Sequence, residues 1–150
     1  MATLATQLGL EDAGYEPARY LTEAGYFLLG CGHVDEAASA FEGARLLAPK
    51  DPVPHTGLAE VFLAQGKPRK AERAATRACD TVSESSGAAL AYAWLIRGDA
   101  RMQLGQARPS VQAWRNAIHL DEHGPAGRLA RGRLNDWNEL QQARGADRST

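Results

Sequence analysis

Gly32 and Gly66 stand 34 residues apart, and the residues behind them repeat: Ala37 answers to Ala71, and Ala44 to Ala78. A third copy follows at a spacing of 39, with Gly105, Ser110, Trp114 and Ala117 in the equivalent places. A chain that repeats at this period builds one small unit several times, and each unit buries its apolar face against the next. The extra length before the third copy falls on the polar run TVSESSG, residues 81–87, which is expected to be a loop.

The unit is a pair of helices. Alanine and leucine are abundant and β-branched residues are few, which favours helix over strand. A glycine just past a helix takes the left-handed conformation that closes the turn. Pro17, Pro68, Pro109 and Pro125 suit first helical turns. The expected helices run over about 17–30, 34–47, 53–65, 68–82, 87–104, 108–121 and 125–143. Small residues at Gly25 and Ala37, Ala59 and Ala71, and Gly98 and Ser110 let the two helices of a pair approach closely. Phe41, Phe62, Trp94 and Trp114 are expected to fill the spaces between pairs.

This pattern resembles the tetratricopeptide repeat (TPR) family. The carriers are the 34-residue period, the mid-repeat glycine, the alanine five residues after it, and the closing proline at Pro49. Residues 18–49 and 52–83 match well; 91–123 departs by placing Arg101 where a large aromatic is common, Ser110 where alanine is usual, and no closing proline. The resemblance implies an all-α superhelix of three helix-turn-helix repeats in a single domain spanning 1–150. Its expected parts are an N-terminal arm (1–16), repeat 1 (17–50), repeat 2 and its loop (51–86), repeat 3 (87–123), a capping helix (124–144) and a polar, disordered tail (145–150). Leu4, Leu8 and Leu10 give the arm an apolar face suited to docking in cis or in trans.

Stacked pairs curve, and the first helix of each pair lines the hollow side. The expected peptide-binding groove therefore comprises Thr22, Tyr26 and Leu29, then Thr56, Glu60 and Leu63, then Tyr92, Leu95, Asp99 and Met102. Such a surface is aromatic, aliphatic and mildly acidic. Family members that grip the terminal carboxylate of chaperones use a basic clamp. The matching positions here hold Thr22, Tyr26, Gly57, Tyr92 and Ile96, which argues against that ligand class. An extended apolar peptide with a basic residue fits better.

Other chemistry is weakly signalled. His119 and His123 stand four apart without a nearby cysteine, so no metal is expected. Cys31 and Cys79 form no CxxC pattern and read as structural thiols, and His33 and His55 read as turn and helix-start residues. Glycine-rich phosphate loops after strands are absent. Nothing assembles a nucleophile, a base and an oxyanion donor, so no enzyme and no cofactor are expected; perturbed carboxylates at Glu60 and Asp99 would reopen a small-ligand reading. The net charge of −1 argues against nucleic acid as partner. It conceals an asymmetry, however: residues 1–49 carry seven acids and two bases, the remainder eleven acids and fifteen bases. The basic excess includes a stripe at Lys67, Arg69, Lys70, Arg73 and Arg77, expected on a solvated convex face. No apolar run is long enough to insert in a membrane, and no signal peptide is evident, so a cytoplasmic location is expected.

The organisation is similar, more narrowly, to the small cytoplasmic chaperones of type III secretion translocators. The phrase LTEAGYFLLGCGHVDEAASAFEGARLLAPKDPVPHTGLAEVFLAQGKPRKA carries the match. That resemblance implies a secreted apolar client held in the groove and a weak homodimer through the N-terminal helix. A scaffold or adaptor in another cytoplasmic complex is the alternative.

Overall fold

The computed structural model describes residues 16–81 and 87–149. The arm's residues 1–15 and most of the expected loop, residues 82–86, lie outside the described residues. Seven helices follow one another among the described residues: α1 Pro17–Gly30, α2 Val34–Leu47, α3 Pro52–Ala64, α4 Pro68–Asp80, α5 Gly87–Gln103, α6 Ala107–Leu120 and α7 Pro125–Arg148. No strand occurs among the described residues. The pairs α1/α2, α3/α4 and α5/α6 are antiparallel hairpins, each packed on the next, and α7 closes the row against α6 and α5.

Each hairpin turns in the same way. Gly32, Gly66 and Gly105 have φ of 82°, 71° and 75°, the left-handed region that other residues enter at a cost. The residue after each glycine donates its N–H five residues back: His33 to the Leu28 carbonyl, Lys67 to Phe62 and Gln106 to Arg101, at 2.8 to 2.9 Å. Three turns thus satisfy the same orphan carbonyls with the same closure. The start of α3 is held differently, by Asp51, whose Oδ1 accepts the Val53 N–H at 3.0 Å.

The core follows the small-residue pattern. Phe41 is fully buried, and its ring lies between two glycines of different hairpins. A Cβ on Gly25 would come within 2.7 Å of that ring and one on Gly57 within 2.4 Å. In the third hairpin, Ser110 replaces the usual alanine without penalty: its Oγ donates to the Gly98 carbonyl at 2.7 Å. Trp114 presses on Gly98 as Phe41 does on Gly25. Arg101, the apparent misfit, lies along the seam between repeats. Its guanidinium donates to the Pro109 carbonyl at 3.1 Å and pairs with Glu72 at 3.4 Å, and Arg97 pairs with the same carboxylate at 3.5 Å. A charged link thus joins the second hairpin to the third.

The third repeat closes without proline through Asp121. Its Oδ2 accepts the Ala126 N–H at 3.1 Å and so caps α7. The capping helix outlasts its expected end. It runs through 145–148, expected to be part of a disordered tail, and finishes at Arg148. Gln141, Gln142, Ala143 and Arg144 lead into it as good helix formers, and Ala146 and Arg148 carry the helix on past Gly145 without needing burial. The Ser149 hydroxyl donates to the Gly145 carbonyl at 3.0 Å and secures the last turn.

Candidate functional site

Three first helices bring Tyr26 (α1), Glu60 (α3) and Tyr92 (α5) into one line on the hollow side. Tyr26 packs edge-on against Phe41, with ring centroids 4.9 Å apart. Its hydroxyl is buried and has no hydrogen-bond partner, and the same holds for Glu60 Oε1. Burial pushes the Glu60 carboxyl up to about 7, opposed by the Tyr92 hydroxyl, which lies within hydrogen-bonding reach, and reinforced by the negative charge of Asp99. Burial, and then the Glu60 charge, also drives both phenols well above their ordinary range.

The expected groove residues divide. Thr56 and Leu95 are corrections: each is only 1% exposed and lies beneath the groove rather than along it. Thr56 donates its hydroxyl to the Pro52 carbonyl at 3.0 Å, and Leu95 joins the central apolar cluster. Their helical spacing is right, but α3 and α5 are interior helices with neighbours on more than one side, so more of each circumference is enclosed. Thr22, Tyr26, Leu29, Glu60, Leu63, Tyr92, Asp99 and Met102 stay half-buried. Thr22 spends its hydroxyl on the Ala18 carbonyl at 2.9 Å.

Asp99 serves the fold. Its Oδ1 accepts the Trp114 indole N–H at 3.0 Å and the Arg133 Nε–H at 3.1 Å, while Oδ2 accepts from Arg133 Nη2 at 3.3 Å. The bidentate pair fastens α7 to α5. Beside it opens a cleft of about 430 Å³, with Leu63, Met102, Trp114, Trp137 and Leu140 as apolar walls and Asp136 on the rim. From sequence, Trp137 and Leu140 are legible only as part of the apolar packing side of the capping helix, with Leu129, Ala130 and Leu134, and Arg133 carries no signal. The apolar spacing of four and three carries the stripe, but nothing local signals that part of it borders an opening.

The remaining candidates are scattered. His55 is buried and its pKa is lowered, mainly by desolvation. Cys79 is half-buried and pushed up to about 11 by the same cause, and Cys31 is exposed; both thiols are free. No group of three or more His, Cys, Asp and Glu suited to a metal ion occurs among the described residues. Of the expected basic stripe, Arg69, Lys70, Arg73 and Arg77 are exposed, and Lys70 lies over the Phe62 ring at 5.8 Å. No helix among the described residues is long and apolar enough to cross a membrane.

Comparison with known proteins places the fold. No protein-family model matches the chain, and no curated protein does. Among solved structures, the chain is similar to the first TPR of Spaghetti (RPAP3) bound to the HSP90 peptide SRMEEVD: 22% identity over 86% of this chain and 94% of that one, TM-score 0.68. It is similar to the Sgt2 TPR domain from Aspergillus fumigatus, with 20% identity, 87% and 83% coverage and TM-score 0.70. It is also similar to the globular C-terminal domain of P. aeruginosa LpoP, with 28% identity, 69% and 96% coverage and TM-score 0.62. The chain has the all-α superhelical fold of TPR domains.

Proposed function

We propose that the chain is a non-catalytic peptide-binding module, and that an extended segment of another protein lies across Tyr26, Glu60, Tyr92, Leu63 and Met102. The observation that carries this reading is the pair of buried polar atoms, Tyr26 Oη and Glu60 Oε1, without partners on the floor of a half-buried aromatic groove. Buried polar groups ordinarily find partners, and a peptide backbone offers both N–H and C=O. With its pKa near 7, Glu60 is present in both forms at neutral pH and can donate to a carbonyl or accept from an amide. Each large apolar side chain that leaves water contributes about 1.5–3 kcal/mol before ordering costs.

The ligand differs from the acidic tail seen on Spaghetti (RPAP3). Glu60 and Asp136 supply the groove's acidic character, while Asp99 and Arg133 are engaged with each other. An apolar segment with a basic residue suits that balance. In the narrower reading the module is a cytoplasmic chaperone of a bacterial type III secretion translocator, and the bound client can neither aggregate nor insert early. That identity rests on the sequence resemblance; a scaffold or adaptor for a cytoplasmic complex is the other reading.

The test begins with affinity purification from the native host. A secreted apolar protein among the co-eluting partners supports the chaperone, and a cytosolic assembly supports the scaffold. Apolar segments of that partner, made as peptides, are then titrated by calorimetry against wild type and Tyr26→Ala/Tyr92→Ala. At least a tenfold loss of affinity is expected, and an unchanged affinity in the folded double variant removes the groove from the account.

A further inference from the structure

A second opening lies on the other side of Trp137, against the outer face of α6. It encloses about 640 Å³ between α6 and α7, with Arg108, Pro109, Val111, Arg115 and Trp137 on its walls. Arg108 and Arg115 are both exposed, and neither forms an ion pair or hydrogen bond among the described residues. Helix α6 contains no aspartate or glutamate at all. This contrasts with the seam one hairpin earlier, where Glu72 is shared by Arg97 and Arg101. The seam's guanidinium groups are thus neutralised, whereas Arg108 and Arg115 are uncompensated and lie on either side of an apolar strip.

The spacing sets what can lie there. Arg108 and Arg115 are seven residues apart, about 10 Å along the helix axis, and Val111 sits between them on the same face. We infer that this cleft is a second docking surface, separate from the concave groove, for an acidic amphipathic helix of a partner protein. Two carboxylates at i and i+7 meet the two guanidinium groups, and an apolar side chain at i+3 or i+4 enters the space between Val111 and Trp137. A polypeptide fits better than a nucleic acid here. The cleft has an apolar floor, and the chain as a whole carries a net charge of −1 rather than the basic excess that phosphate backbones select.

The probe is a labelled, alanine-based helical peptide carrying Glu-x-x-Leu-x-x-x-Glu, compared with versions bearing Lys for both Glu or Ala for Leu. Binding is read by fluorescence anisotropy, and the site by the NMR shifts of the Val111 methyl groups, which border this opening and not the cleft beside Asp99. Wild type is expected to bind the acidic peptide at least tenfold more tightly than the lysine version, with affinity falling as salt rises. Arg108→Glu/Arg115→Glu should reverse that preference, and Arg108→Gln/Arg115→Gln should abolish it. Tyr26→Ala/Tyr92→Ala should leave it unchanged, which separates this surface from the groove. Absent binding by wild type, equal binding of the acidic and lysine peptides, or a preference that survives both arginine variants would overturn the inference.

Discussion

Glycines that touch a ring and glycines that touch nothing make opposite predictions. A Cβ at Gly57 would lie 2.4 Å from Phe41 Cε1, and that ring has no free space to retreat into. Gly57→Ala should therefore lower stability by about 1–3 kcal/mol, read as a lower urea midpoint. Gly132, inside α7 with nothing near its missing Cβ, should do the reverse: Gly132→Ala should gain about 0.5–1 kcal/mol. Glu60 gives a pH-dependent case. Its carboxyl sits at about 7 in the fold and near 4.5 when unfolded, so the folded state holds its proton more tightly. The associated stability is fully present below about pH 4.5 and is lost as pH rises through 7. Urea unfolding at pH 5 and pH 8 should show wild type losing on the order of 2 kcal/mol more than Glu60→Gln across that interval.

Helices and turns were the most legible level. The period located every hairpin glycine, and six of the seven helices begin and end within two residues of expectation, because turn chemistry and prolines mark both ends locally. The seventh ran on, since no Pro or hydrophobic cue governs a solvated end. What the sequence could not disclose was enclosure. Thr56 and Leu95 share a stripe with residues that stay half-buried, and only the neighbours on more than one side of α3 and α5 seal them. Asp99 likewise looks like a ligand-facing acid until Arg133, distant along the chain, is seen to claim it. Two element-scale outcomes follow. Gly66→Ala must bear a left-handed backbone at φ 71° and should cost about 1–2 kcal/mol in thermal or chemical unfolding, with no clash to add to it. Asp99→Ala frees the Trp114 indole and the Arg133 guanidinium together, so amide exchange should quicken along α7 well before it does in α1 and α2.

The whole molecule is a row in which each hairpin leans on the last, with α7 covering the final face. Ala126 and Ala130 are buried there, although most of the helix beyond Trp137 is exposed. Truncation after Gly124 should uncover the apolar side of α6 and raise binding of a hydrophobic dye, together with a lower melting temperature. One aromatic ring also reaches beyond its own contacts. Phe41 is gripped from both sides by backbones that lack side chains, so its thickness acts as the spacer between the first and second hairpins. The arc of the whole spiral is thereby calibrated at a point that no ligand touches. A slimmer residue there would tighten the bend and narrow the hollow side from afar, without changing a single residue that lines it.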